Sequence, residues 1–195
     1  MKLVVAVGGA SGSIYARRLL DVLALGTSSG NLPELEDVAL CFSQSGQEVW
    51  QHEIGGEPRY PFRRFGLRDF RAPFASGSAG WDAMVVIPCS TGGLARIAHG
   101  MSDDLIGRAA DVMLKERRKL VLVVRETPLS LVHLENMLAV TRAGGVVLPA
   151  SPSFYSLPST VDAVVDTVVG RVLDQLGLPN QLMPRWGEPP KGVLA

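Results

Sequence analysis

Five short apolar runs punctuate the chain, at residues 2–7, 37–42, 83–87, 119–124 and 145–148. Each is almost continuously apolar and rich in β-branched residues, the pattern of strands buried on both faces. Between them, apolar positions recur at helical spacing over 13–25, 44–53, 94–98, 105–117 and 131–142. A last helix is predicted over 159–176, where Ser159 and Asp162 stand in capping-box spacing. Regular alternation of strand and helix predicts an α/β fold: a Rossmann-like three-layer sandwich with a mostly parallel sheet, in a single domain. Two stretches break the pattern. Residues 55–80, rich in Gly, Pro, Arg and Phe, read as a long excursion. Residues 179–195 carry four prolines and cannot form regular helix. The expected division is a domain over 1–178 and a tail over 179–195 that frays or contacts a neighbouring subunit.

Composition narrows the function classes. Nineteen Lys and Arg balance nineteen Asp and Glu, so the chain lacks the basic surplus of a nucleic-acid binder. Its 47% apolar content allows a sizeable core and subunit contacts. Two cysteines, Cys41 and Cys89, are too few for a disulfide scaffold and point to a reducing cytoplasm. No apolar run reaches the length that spans a bilayer, so no membrane partner is expected.

In an open parallel sheet, ligands bind beyond the carboxyl ends of the strands. Gly8-Gly9-Ala10-Ser11-Gly12 follows the first run, and Ser43-Gln44-Ser45 follows the second, with Glu53 closing the next helix. Pro88-Cys89-Ser90-Thr91-Gly92-Gly93 follows the third, Arg125-Glu126 the fourth, and a stretch reaching Phe154-Tyr155 the fifth. Glycines and small hydroxyl residues at three of five ends suit a phosphate, which backbone N–H groups, hydroxyls and helix N-termini can hold. The first turn alone can also be read as a tight connection that holds nothing. It lacks the full dinucleotide fingerprint, the acidic ribose partner and a Walker lysine.

The charges near these ends have two readings each. Arg125 and Glu126 are a surface ion pair or ligand groups. Arg171, three residues from Val168, is a snorkelling arginine or a cation aimed at a site. Lys115 closes a helix, where a cation is favoured in any case. Asp103 or Asp104 is a helix N-cap. His52, His99 and His133 lack ligand spacing, and no metal site is expected. Cys89 reads as a buried small residue.

Taken together, "GASG" (9–12), "ASGS" (75–78), "PCSTG" (88–92), "RAADVMLKERR" (108–118), "VRETP" (124–128), "HLENM" (133–137), "FY" (154–155) and "PRWGE" (184–188) resemble the flavin prenyltransferase family, the UbiX/Pad1-like proteins. The resemblance implies an FMN-binding homododecamer that joins a dimethylallyl group from dimethylallyl monophosphate to N5 and C6 of reduced FMN without a metal. Its product, prenylated FMN, would serve a UbiD-type decarboxylase, as in ubiquinone biosynthesis. By resemblance, Gly9, Ala10, Ser11, Ser43, Ser90, Thr91, Gly92, Gly93 and Arg125 hold FMN. Lys115, Arg125, Glu126, Tyr155 and Arg171 gather around the donor phosphate. Ser11, Glu53 and Glu126 form the acid–base group, and Trp186 offers an aromatic face to the prenyl chain.

Three positions depart from the family pattern: Gly8 stands where Thr or Ser is common, Gln44 where Lys is, and Asp104 where Asn is. Two other readings compete, an FMN-dependent cysteine-type decarboxylase and a non-catalytic FMN carrier subunit. The first asks for a catalytic histidine and an asparagine clamp, whereas Asn136 falls within the prenyltransferase-like "HLENM". The second needs no phosphate site beyond the flavin's.

Overall fold

The computed structural model describes residues 1–187. Six strands form one sheet in the order β3-β2-β1-β4-β5-β6, every pair parallel. They are β1 (Lys2–Val7), β2 (Asp37–Phe42), β3 (Arg63–Phe65), β4 (Ala83–Cys89), β5 (Lys119–Val124) and β6 (Val146–Pro149). The helices are α1 (Ser13–Ser29), α2 (Gln44–Glu53), α3 (Thr91–Ala98), α4 (Leu105–Lys115), α5 (Leu131–Arg142) and α6 (Val161–Leu176). Leu3, Val5 and Val7 face α1, α2 and α6, while Val4 and Ala6 face α3, α4 and α5. Both faces of β1 are therefore core, which is why its sequence does not alternate.

Several boundaries differ from the sequence reading. β4 continues through Pro88 and Cys89, and α3 begins at Thr91, because the Ser90 hydroxyl caps it from within the apparent loop. α1 runs on to Ser29: Leu32 packs against Gly26, the Thr27 and Ser28 hydroxyls bond back to carbonyls one turn earlier, and Gly30 closes the helix at φ 72°. α4 ends at Lys115, and β6 covers 146–149. α6 starts at Val161, capped by Thr160 rather than Ser159. Within the 55–80 excursion lies the three-residue edge strand β3, paired with β2 from Ala39 to Cys41, followed by two 3₁₀ turns. Arg63 and Arg64 of β3 lie over the rings of Phe65 and Phe42. The described part of the tail packs on its own chain, with Met183 buried against Gly170 of α6.

β1 and β4 are neighbours whose chains leave in opposite directions, to β2 and to β5. This is the topological switch point, where the carboxyl ends open a crevice. α2 is seated directly on that end: a Cβ at Gly46 would stand 2.3 Å from the Val7 carbonyl oxygen and 3.1 Å from that of Gly8. Gly46→Ala is therefore expected to cost about 1–3 kcal/mol, the range of an overpacked core position. In urea unfolding the midpoint should fall with the slope unchanged.

Candidate active site

At the end of β1 the Gly8 N–H donates to the Pro88 carbonyl at 3.0 Å, tying the two central strand ends together. A Cβ at Gly8 would lie 2.5 Å from that carbonyl oxygen, so a Thr or Ser here would require the strand ends to separate. Gly9 is equally constrained, its Cβ position falling 2.1 Å from Ser45 Oγ. Gly12 takes a left-handed φ of 115° and launches α1, which has no side-chain N-cap of its own. Glu53 supplies one from the last turn of α2, accepting from Gly12 N at 2.9 Å and Ser13 N at 2.7 Å. Burial pushes the Glu53 carboxyl up, but hydrogen bonds from Ser11, Gly12 and Ser13 outweigh it and hold the group below its ordinary range.

Ser43 and Ser90 play matching parts. The Ser43 hydroxyl accepts from Gly46 N at 2.9 Å and caps α2; the Ser90 hydroxyl accepts from Gly93 N at 3.1 Å and caps α3. Ser90 keeps its O–H for a ligand, whereas the Ser43 and Ser45 hydroxyls lie 3.4 Å apart and one can donate to the other. Gly92, beside them, has open space where a Cβ would stand, so packing does not require a glycine there. The crevice is lined by Gly8, Gly9, Ser43, Ser45, Ser90 and Gly93, and on its far wall by Arg96, Asp104, Ile106 and Gly107.

Arg96 was missed in the sequence, and Ser45 was noted only as part of the stretch after the second strand. Arg96 follows Gly92 and Gly93 by one helical turn and shares their face, a spacing that marks it. Asp104 is the N-cap of α4, accepting from Gly107 N at 2.8 Å, so the departure from Asn keeps the cap and adds a carboxylate to the wall. Cys89 is fully buried, and burial pushes its thiol up to about 12, which suits a structural residue rather than a nucleophile. Among the described residues, no three His, Cys, Asp or Glu side chains gather as a metal-holding group. His133 belongs to the capping box of α5.

Arg125 closes this edge from β5. Its backbone N–H donates to Cys89 O at 3.2 Å and its Nε to Ser11 O at 2.9 Å, so the side chain straps the first turn across β4. The Glu126 carboxylate accepts from Thr127 N at 2.9 Å and, more loosely, from Thr91 Oγ1 at 3.5 Å. The structure thus brings together Gly9, Ala10, Ser11, Ser43, Glu53, Ser90, Thr91, Gly92, Gly93, Arg125 and Glu126.

No such contact ties Lys115, Tyr155, Arg171 or Trp186 to that group among the described residues. α4 starts at the crevice and runs back along the sheet for eleven residues, about 15 Å, so Lys115 ends at the opposite edge, paired with Glu116. Tyr155 and Trp186 meet edge to face, ring centroids 5.5 Å apart. Arg171 lies with Val146, Leu148, Ser151 and Thr167 along a separate cleft of ≈ 390 Å³. Among the described residues, no hydrogen bond or ion pair joins Lys115, Tyr155 or Arg171 to Arg125 or Glu126.

Comparison with known proteins identifies a family and several relatives. The Flavoprotein family model matches residues 1–173. The flavin prenyltransferase UbiX of Pseudomonas aeruginosa is 45% identical over 197 aligned positions, covering 96% of this chain and 94% of the relative. The crystal structure of AnUbiX (PadA1) in complex with FMN and dimethylallyl pyrophosphate superimposes with a TM-score of 0.86 at 40% identity, covering 95% of this chain and 96% of that one. A dodecameric FMN-dependent UbiX-like decarboxylase from Escherichia coli O157:H7 gives a TM-score of 0.87 at 43% identity, covering 95% and 99%.

The cap that Glu53 places on α1 can be tested without ligand. Glu53→Gln is expected to lower stability at neutral pH by about 1 kcal/mol, the scale of a solvent-exposed helix cap. Because the folded carboxyl sits below its unfolded value, the contribution is complete above the ordinary carboxyl range and is lost as pH falls through the folded value. Thermal melts of the two proteins should therefore differ at pH 7 and converge in acid. A gap independent of pH would contradict this account.

Proposed function

We infer, from the premise that this chain belongs to the Flavoprotein family and to the UbiX/PAD1 flavin prenyltransferases within it, that it transfers a prenyl group to FMN. It is a transferase, and FMN is its flavin. The carrying observation is the gathering, at one sheet edge, of the Gly8–Gly12 turn, the serine-capped starts of α2 and α3, and Arg125 with Glu126. The residues fit the flavin: the starts of α2 and α3, the Ser43, Ser45 and Ser90 hydroxyls, and an unobstructed Gly92 suit close approach of a phosphate and its sugar-like chain. Gly9, Ala10, Ser11, Ser43, Ser90, Thr91, Gly92, Gly93 and Arg125 would hold it.

When bound and reduced, FMN supplies the nucleophilic N5 and C6 positions. The donor is a dimethylallyl phosphate, which we take to be the monophosphate. A phosphate leaves readily only if its developing charge is met, and Lys115, Arg125, Arg171 and the Tyr155 hydroxyl supply cations and a donor for it. The departing group leaves allyl-cation character, which the Trp186 face attracts. Glu126 is the freer base, since Glu53 accepts a proton only by loosening its hold on Gly12 and Ser13. Ser11, next to both Glu53 and Arg125, orients that group.

Because α4 carries Lys115 away from the crevice in one chain, a second copy would have to bring it to the donor site. A homododecamer does so. The exposed apolar side chains of Leu131, Val132 and Leu134 on α5 support such contacts. A UbiD-type decarboxylase is the recipient of the product in this reading, and the two buried free cysteines agree with a reducing cytoplasm. No helix of the described residues is long and apolar enough to cross a membrane.

Anaerobic incubation with FMN, dithionite and dimethylallyl monophosphate, followed by mass spectrometry of the extracted flavin, tests the reading. The flavin should gain one five-carbon unit, and Glu126→Gln should slow this by about 10²-fold, the usual scale of a lost acid–base group. Product only from the diphosphate would reassign the donor; bound but unmodified FMN with either donor would favour a carrier. Gly92→Ala separates cradle from scaffold. It should leave stability unchanged or raise it by about 0.5–1 kcal/mol, since alanine favours helix, while FMN affinity by fluorescence titration falls at least about tenfold.

A further inference from the structure

The last turns of α6 and the segment after it converge on one carboxylate. Asp174 Oδ2 accepts from Arg171 Nη1 at 2.9 Å and from Arg185 Nη1 at 2.7 Å, while Oδ1 accepts from Asn180 Nδ2 at 3.0 Å. Three donors on two oxygens leave the group little freedom to turn. Asp174 is also the more buried member of both ion pairs, its side chain 17% exposed against 55% for Arg171 and 43% for Arg185. The carboxylate is thus the fixed centre and the guanidinium groups are what it holds.

What it holds are two parts of the proposed donor site. Arg171 borders the cleft beside β6. Arg185 immediately precedes Trp186, whose ring meets Tyr155 edge to face. Asn180 and Arg185 together bracket the chain between α6 and Trp186, and Met183 anchors its middle against Gly170. One negative charge between two positive ones leaves a surplus of one, so the cluster remains attractive to a phosphate while its cations stay in place.

We infer that Asp174 is a positioning residue for the prenyl donor: it fixes the Arg171 guanidinium and, through Arg185, the segment that carries Trp186. This rests on the assignment of Arg171 and Trp186 to the donor site. Asp174 touches no residue of the flavin crevice, so its removal should act on the donor and leave the flavin alone.

The test uses the full chain with FMN bound and compares Asp174→Asn, Asp174→Glu, Arg185→Gln and Arg171→Gln by flavin prenylation and FMN titration. Asp174→Asn should raise KM for dimethylallyl monophosphate about tenfold, with kcat lowered less and FMN affinity unchanged. Asp174→Glu should recover part of the loss. Arg185→Gln should raise KM about threefold, and adding Asp174→Asn to it should cost less than in the parent. Trypsin should also release the peptide after Arg185 faster from Asp174→Asn than from the parent. If Asp174→Asn does not fold, the exposed Arg185→Gln carries the same test through KM. An unchanged KM in Asp174→Asn, or in Arg185→Gln where only that variant folds, overturns the inference, provided Arg171→Gln is impaired. If Arg171→Gln also prenylates at the parent's KM, the donor-site assignment fails and the role of Asp174 falls with it. A loss of FMN affinity equal to the rise in KM would mark general disruption and overturn it as well.

Discussion

Everything at this site depends on how closely the ends of β1 and β4 approach. The Gly8 N–H reaches the Pro88 carbonyl at 3.0 Å with no room for a side chain between them. That contact sets the switch point of the sheet, and from it the turn after β1, the start of α3 and the end of β5 fall side by side. Arg125 then ties the turn back across β4 through Ser11. The resulting surface is held by hydrogen bonds within the protein, and so it is organised before any ligand arrives.

The way charge is distributed follows from the same geometry. Helices that leave the crevice carry their residues to the far edge of the sheet, which is why Lys115 ends so far from Glu126. The N-terminus of α1 already has its counter-charge in Glu53, whereas α2 and α3 are capped by neutral serines that keep donating capacity. The crevice thus combines neutral O–H groups at the starts of α2 and α3 with the guanidinium of Arg96 on its wall.

Most of the architecture was legible because β1, β2 and β5 are buried on both faces and read as continuous apolar runs. α2 and α5 were legible to the residue through the helical spacing of their apolar positions. β3 was not, since Arg63-Arg64-Phe65 becomes a strand only when the open edge of β2 offers it partners. Thr91, Gly92 and Gly93 resemble loop until Ser90 is seen to cap them. At the site, glycines and serines announced themselves by composition. The joint role of Arg96 and Asp104 needed the packing of α3 beside the start of α4, and the Asp174 cluster needed the fold-back of residues 178–187 onto α6.

The two borders of the sheet have a consequence for assembly. β3 is three residues long and its arginines lie flat over aromatic rings; β6 is four residues long and finishes in Pro149, which offers no N–H. Neither border gives an incoming strand much to extend. Contacts between copies would therefore fall to helix surfaces and loops, whose fixed angles favour rotation into a closed shell over endless growth along a strand direction. The short edges thus act as a brake on fibre formation in a protein that carries several bare leucines.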